Sequence, residues 1–125
     1  RFSPAGMLIW AGDFNVAPEP IDVHAPRRLE NYTDFHPAAR AALAGVKEWG
    51  FVDLYRLHHA GEAGQYTFWD YRLPRSVERN WGWRIDHIWG TQPLAERCTA
   101  AWIDVQARRL PRPSDHTFLL VELAI

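Results

Sequence analysis

Three carboxylates, a carboxamide and an imidazole stand at separated points of this chain: Asp13 with Asn15, Asp86, and Asp115 with His116. The first pair closes the run Met7-Leu8-Ile9-Trp10-Ala11-Gly12-Asp13-Phe14-Asn15. In an extended segment, side chains two apart point to the same side, so Asp13 and Asn15 are predicted to sit together. Their place is the carboxyl end of a strand, where open sheets hold their ligands. Such a set suits metal-assisted attack of water on a phosphodiester. One carboxylate binds Mg²⁺, whose preferred ligands are hard oxygens. Another accepts a proton from water, and a histidine held by an aspartate donates to phosphoryl oxygens. The Asp13–Asn15 and Asp115–His116 pieces each also read as a turn, because Gly, Asp, Asn and Ser favour turns. Only the combination points to chemistry.

Strands and one helix must bring these pieces together. Five apolar residues before Gly12 lack a helical stripe and predict a strand buried on both faces. Val16 to Tyr32, with Pro18, Pro20 and Pro26, reads as a long connection. Pro37 suits a first helical position, with Asp34 or His36 as cap. Ala39, Ala42, Leu43, Val46 and Trp49 recur at helical spacing as far as Gly50, a stripe for packing on a sheet. Phe51 to Tyr55 reads as a short strand, and the adjacent His58 and His59 as surface histidines. Tyr66-Thr67-Phe68-Trp69-Asp70-Tyr71-Arg72 reads as a strand by its aromatic and β-branched content. Its aromatic residues suit a core or a pocket for a flat ligand group. The loop to Trp83 holds Arg75, Arg79 and Asn80; arginines beside aromatics suit phosphate contacts. Trp83 to Trp89 is a strand in which Asp86 requires a partner, because a buried carboxylate without one is costly. A short helical turn over Pro93 to Arg97, a strand over Ala101 to Val105 and a last strand over Phe118 to Leu123 complete the chain.

Composition narrows the classes. The 125 residues are 47% hydrophobic and 23% charged, the balance of one globular domain. A net charge of -1 argues against a wholesale polyanion binder, yet acidic site residues would mask a local basic groove in the sum. No apolar run approaches the roughly 20 residues that span a bilayer, so no membrane partner is expected. A lone Cys98 forms no internal disulfide and suits a reducing, cytoplasmic setting. Arg1 has no methionine before it, which leads us to expect the later part of a longer chain.

Gly12-Asp13-Phe14-Asn15, Tyr66 to Arg72, Gly82-Trp83-Arg84-Ile85-Asp86 and Ser114-Asp115-His116 occur in the order seen in the exonuclease III family of abasic-site endonucleases. The chain resembles the second half of that family's domain, within the wider DNase I-like superfamily. The resemblance implies an α+β fold: a four-layer α/β/β/α sandwich, mostly antiparallel, of which residues 1–125 form the C-terminal half. It implies Mg²⁺-dependent hydrolysis of DNA phosphodiesters in base-excision repair, with Mn²⁺ as a substitute ion. The implied partner is double-stranded DNA with abasic or damaged 3′ ends.

By the same resemblance, Asp13 is the base that activates water or a metal ligand, and Asn15 orients the scissile phosphate. Asp115 is a metal-associated carboxylate, His116 contacts the phosphoryl group, and Asp86 orients His116. Phe68, Trp83 and Ile85 line a pocket for an extrahelical abasic sugar, with Arg72 and Asn80 as further substrate contacts. His87 departs from the aromatic or aliphatic residue common in relatives, a difference expected to affect packing. The family's first half supplies an asparagine and a glutamate for the metal and a tyrosine for phosphate, and only twelve residues precede Asp13. The isolated chain is therefore expected to cleave weakly or not at all, and to pair with a complementary half or with itself. Two alternatives remain open: a superfamily phosphatase or phosphodiesterase acting on small phosphate esters, and a non-catalytic DNA-binding remnant.

Overall fold

A computed structural model describes residues 1–125. Strands β1 (Ile9–Asp13), β2 (Phe51–Asp53) and β3 (Asp86–Thr91) form an antiparallel sheet in the order β1-β3-β2. Strands β4 (Cys98–Asp104) and β5 (Phe118–Leu123) form a separate antiparallel pair. Helices α1 (Pro26–Leu29), α2 (Pro37–Gly50), α3 (Leu54–His58) and α4 (Gln92–Ala95) join them. The predicted mixture of antiparallel strands and flanking helices is what the chain adopts. No helix is long and apolar enough to cross a membrane.

Several expectations need correction. β1 is exposed along its whole length, with Ile9 at 51% and Trp10 at 39%, rather than buried on both faces. It lies at the sheet edge and pairs only with β3, so hydrogen bonding and cover come from one side. α2 begins at Pro37 as expected, capped by His36, whose Nδ1 accepts from the Ala38 N–H at 3.1 Å. Its apolar stripe, however, buries only Leu43; Val46 and Trp49 stay exposed, Val46 lining an open groove beside β1. Tyr66 to Arg72 is no regular strand. Thr67 and Phe68 both donate their N–H to the Trp83 carbonyl, whereas the Trp69 N–H turns to the Asp115 carbonyl. A segment whose bonds alternate between two partners makes isolated bridges instead of a ladder. The strand expected from Trp83 starts at Asp86 for the same reason, because the Trp83 and Arg84 N–H groups go to Phe68 and Asp22.

The region after Phe51 also differs. The strand ends at Asp53, whose carboxylate accepts the Arg56 N–H at 3.2 Å and starts α3. His58 and His59 are more than solvated surface: their Nε2 atoms lie 2.9 Å and 2.6 Å from the Cys98 and Ala101 carbonyls, tying α3 to β4. The long connection is ordered by the short helical turn Pro20–Asp22 and by α1, and contributes Ala17, Val23 and Leu29 to a core with Phe35, Trp83 and Ile85.

A buried ionic knot fixes the sheet to this connection. Arg84, 1% exposed, reaches Asp22 at 2.6 Å and Asp53 at 2.7 Å, and Arg56 joins Asp22 at 2.6 Å. Burial opposes the Arg84 charge, but Asp53 and Asp22 outweigh it and raise the pKa of the guanidinium. His87 sits against the knot. Its Nε2–H donates to the Val16 carbonyl at 2.8 Å and its Nδ1 faces the Arg84 guanidinium at 3.4 Å, a neutral tautomer. Burial first, and then the neighbouring Arg84 charge, push the His87 imidazole down from 6.5 to about 4.

This shift has a definite sign. Unfolded chains bind a proton on His87 below about 6.5, and the folded chain resists it to about 4. Stability from this group is therefore complete above pH 6.5 and falls by about 3 kcal/mol as pH drops to 4. Urea midpoints for the wild type and His87→Phe at pH 7 and 4.5 check this. The wild type should lose more on acidification, and equal losses would refute the assignment.

Candidate active site

Strand register performs the first assembly step. In the β1–β3 ladder Asp13 is the direct partner of Asp86. Residues facing each other across an antiparallel pair share a face, so the two carboxylates meet there. The Phe14 N–H continues the pairing by donating to the Ile85 carbonyl at 3.0 Å. β1 then ends, and Asn15 takes φ +52°, a left-handed conformation that asparagine tolerates. Its N–H donates to Asp13 Oδ1 at 2.8 Å. Asp13 and Asn15 are thus brought together by an Asx turn, not by the alternation of an extended segment.

His116 arrives from the other side. The isolated bridges of Phe68 to Trp83 and of Phe68 to His116 place the segment before β5 next to the start of β3. The Ser114 Oγ accepts the His116 N–H at 3.1 Å. His116 Nδ1 lies 2.8 Å from Asp86 Oδ2, and its Nε2 lies 3.8 Å from Asp13 Oδ2. The first distance is a hydrogen bond. The second is too long for one, and suits an oxygen atom that touches both groups. Asp86 thereby has the partner its position demanded, and the Thr67 hydroxyl accepts its N–H at 3.1 Å. Burial raises the Asp86 carboxyl above the usual carboxylate range, while its bonds to His116 and Thr67 pull the other way.

Asp13, Asp86 and His116 form a cluster whose candidate ligand atoms all lie within 4.8 Å of one another. Asp115 is outside it: this residue is half-buried, and its backbone carbonyl receives the Trp69 N–H. Asn15 is exposed at the rim.

Beside the cluster opens a cavity of about 710 Å³ lined in part by Phe68, Trp83, Arg72, His24 and Trp81. Phe68 joins the two sites, its ring 5.0 Å from the His116 ring and 5.6 Å from that of Trp83. Of the other residues expected to contact substrate, Ile85 is 2% exposed in the core. Asn80 accepts the Trp69 indole N–H at 3.0 Å and donates to the Gly64 carbonyl at 3.0 Å. Ile85 packs in the core cluster with Trp83, and Asn80 stays exposed next to Trp81. Arg72 is exposed at the rim and held by Asp70 at 2.8 Å.

Two contributors escaped the sequence reading. Asp34, considered only as a helix cap, lines the cavity; burial and then the Asp13 charge raise its carboxyl pKa. His24 lies in the connection from Val16 to Tyr32, and the bridge of Val23 to Trp83, with the His24 N–H donating to the Gly82 carbonyl at 3.1 Å, brings it here.

The sequence family described as the Endonuclease/Exonuclease/phosphatase family matches residues 1–116. An exodeoxyribonuclease from Bacillus subtilis (strain 168) is 36% identical over 96 residues, 77% of this chain and 38% of that protein. Among solved structures, an AP endonuclease from Archaeoglobus fulgidus superposes with a TM-score of 0.95 at 45% identity, covering 99% of this chain and 48% of its own. A 3′ phosphatase from Neisseria, solved with a product DNA hairpin, gives a TM-score of 0.91 at 31% identity over 96% of this chain and 46% of that one. The chain therefore spans less than half the length of each of these relatives.

Proposed function

Since this chain belongs to the exonuclease III branch of the endonuclease/exonuclease/phosphatase family, we propose that it carries catalytic residues for metal-dependent hydrolysis of DNA phosphodiesters at abasic sites or damaged 3′ ends. The observation that carries this reading is the meeting of Asp13, Asp86 and His116 beside a cavity that Phe68 lines, its ring 5.0 Å from that of His116. Phosphodiester hydrolysis needs a proton acceptor for water, a donor toward the phosphoryl oxygens, and a surface that holds the sugar. Each has a candidate here.

Asp13 accepts the proton of the attacking water through Oδ2, while Oδ1 is steadied by the Asn15 N–H. The Asn15 carboxamide, exposed at the rim, orients the scissile phosphate. Asp86 accepts a hydrogen bond from His116 Nδ1–H and holds the ring so that Nε2 is turned toward Asp13 and toward the phosphoryl group. Phe68 and Trp83 pack against the sugar and exclude water. The donor set fits a hard divalent cation: carboxylate oxygens meet at the cluster, and the histidine nitrogen facing Asp86 is already engaged. We assign Asp13, in its alternative role as metal ligand, to hold Mg²⁺ at this cluster, with Mn²⁺ as a substitute; Asp115 lies outside the cluster and is metal-associated only by the family resemblance. When bound, such an ion offsets phosphoryl charge and lowers the pKa of water.

The local ligand set is small, so the 125-residue chain alone is expected to cleave an abasic duplex far more slowly than a full-length relative. Gel assays with Mg²⁺ and with EDTA check this. Cleavage at a relative's rate, or cleavage indifferent to EDTA, would overturn the reading. We read residues 1–125 as the C-terminal half of the nuclease domain, acting in the reducing interior of a cell, which a buried free Cys98 suits. The open edge of β1 and its exposed apolar side chains are where we place pairing with the complementary half of such a domain, or with a second copy. Size-exclusion chromatography of the isolated chain should show association; a well-behaved monomer argues against self-pairing.

A further inference from the structure

The cavity beside His116 extends well past the two residues assigned to the sugar. Ring contacts run without a break from His116 to Phe68, then to Trp83 at 5.6 Å, to His24 at 4.8 Å and to Trp81 at 6.2 Å. His24 and Trp81 lie within 21° of parallel, and their spacing is looser than the 4.0 Å stack of Trp10 on Phe14. Both also border a second, adjoining opening of about 510 Å³, lined as well by Arg27 and Arg28. Both arginines are exposed. The Arg79 guanidinium lies 4.6 Å from the Trp81 ring centre.

Size and chemistry both exceed what an abasic sugar needs. Cavities of roughly 300–1,000 Å³ enclose ligands of drug size, and about 710 Å³ leaves room for a planar ring beyond the sugar. His24 also offers a directional group. Its Nδ1 lies 3.2 Å from the Gly82 carbonyl, which can only accept, so Nδ1 carries the proton. Burial lowers the His24 pKa and favours the neutral ring, whose Nε2 is an acceptor without a protein partner. An aromatic face beside an acceptor, with guanidinium groups at the rim, is the chemistry that holds an unpaired base.

We infer that this cavity binds an unpaired nucleotide with its base attached, the sugar against Phe68 and Trp83 and the base against His24 and Trp81. The inference rests on the nuclease reading above, since His116 and Asp13 then face the phosphate of the same nucleotide. Trp81 becomes a specificity-determining residue: it discriminates base-bearing from baseless nucleotides and leaves the phosphate contacts untouched.

Fluorescence titration of the full-length protein in EDTA, which prevents cleavage, separates the two ideas. One duplex carries a tetrahydrofuran abasic analogue, and the other an unpaired 2-aminopurine at the same position. Wild type is expected to bind both and to quench the 2-aminopurine. Trp81→Ala should weaken the 2-aminopurine duplex by roughly tenfold, as loss of one base stack implies, and keep abasic affinity within about twofold. Trp81→Phe should restore most of the difference. Equal effects of Trp81→Ala on both duplexes, or no effect on either, overturn the base site while leaving the nuclease reading standing. Failure of the wild type to bind the abasic duplex overturns the nuclease reading itself.

Discussion

Asp13→Asn in the full-length protein is expected to lower DNA cleavage between about a hundredfold and ten-thousandfold, the range lost with a general base. Asparagine keeps the shape, and its side-chain oxygen can still accept the Asn15 N–H, so the turn survives. The variant cannot take a proton from water, and it weakens any cation held at the cluster. Asp13 is exposed, so folding should change by less than the roughly 0.5 kcal/mol common at surface positions. Steady-state cleavage of an abasic duplex, with thermal melting as a folding control, gives the answer. A variant that melts normally and cleaves within a few-fold of wild type would remove Asp13 from its assigned role. Asp86→Asn makes a useful partner, because burial already disfavours its charge. It should cost activity while folding is preserved.

Arg84→Ala should have the largest effect on stability. The substitution removes the cation that both Asp22 and Asp53 face at 0% and 5% exposure. Arg56 remains near Asp22, but Asp53 loses the group that holds its carboxyl pKa below the usual range in spite of burial. Breaking a buried pair by removing one partner costs about 3–5 kcal/mol. Domains of this kind are stable by only about 5–15 kcal/mol, so the loss is a large share of the total. Denaturant unfolding at pH 7 provides the measurement, and a change under about 1 kcal/mol would show that the knot contributes little. The knot also positions the site. Arg84 lies two residues before Asp86, and its guanidinium ties this segment to Asp22 at 2.6 Å and to Asp53 at 2.7 Å. Loss of Arg84 should therefore also impair cleavage under conditions where the variant still folds.

Legibility of the fold followed the reach of each signal. α2 was readable because Pro37, the capping His36 and the spacing of its apolar residues are local. β5 was readable as a compact apolar run. The aromatic segment from Tyr66 misled because composition reports a fit to sheet surfaces, whereas a regular ladder requires one continuous partner. β1 misled differently. An apolar run signals surface that favours burial, and whether anything covers that surface depends on neighbours elsewhere. Asp22, Arg84 and Asp53 lie on three separate segments, and nothing in their spacing announces a buried knot.

Asp13 and Asn15 were recognisable as a pair because a turn is a local event. Residue types, their order along the chain and the need of Asp86 for a partner were determined by the sequence itself. Which partner answers that need was decided by tertiary structure. Ladder register sets Asp13 opposite Asp86, and the bridge through Phe68 carries His116 to within 2.8 Å of it. The same long-range pairing lifts His24 from a proline-rich connection into the cavity wall and packs Ile85 in the core with Trp83. Local chemistry is carried by bonds between near neighbours in the chain. The site is made by hydrogen bonds between residues dozens of positions apart, and their geometry exists only once the sheets have formed.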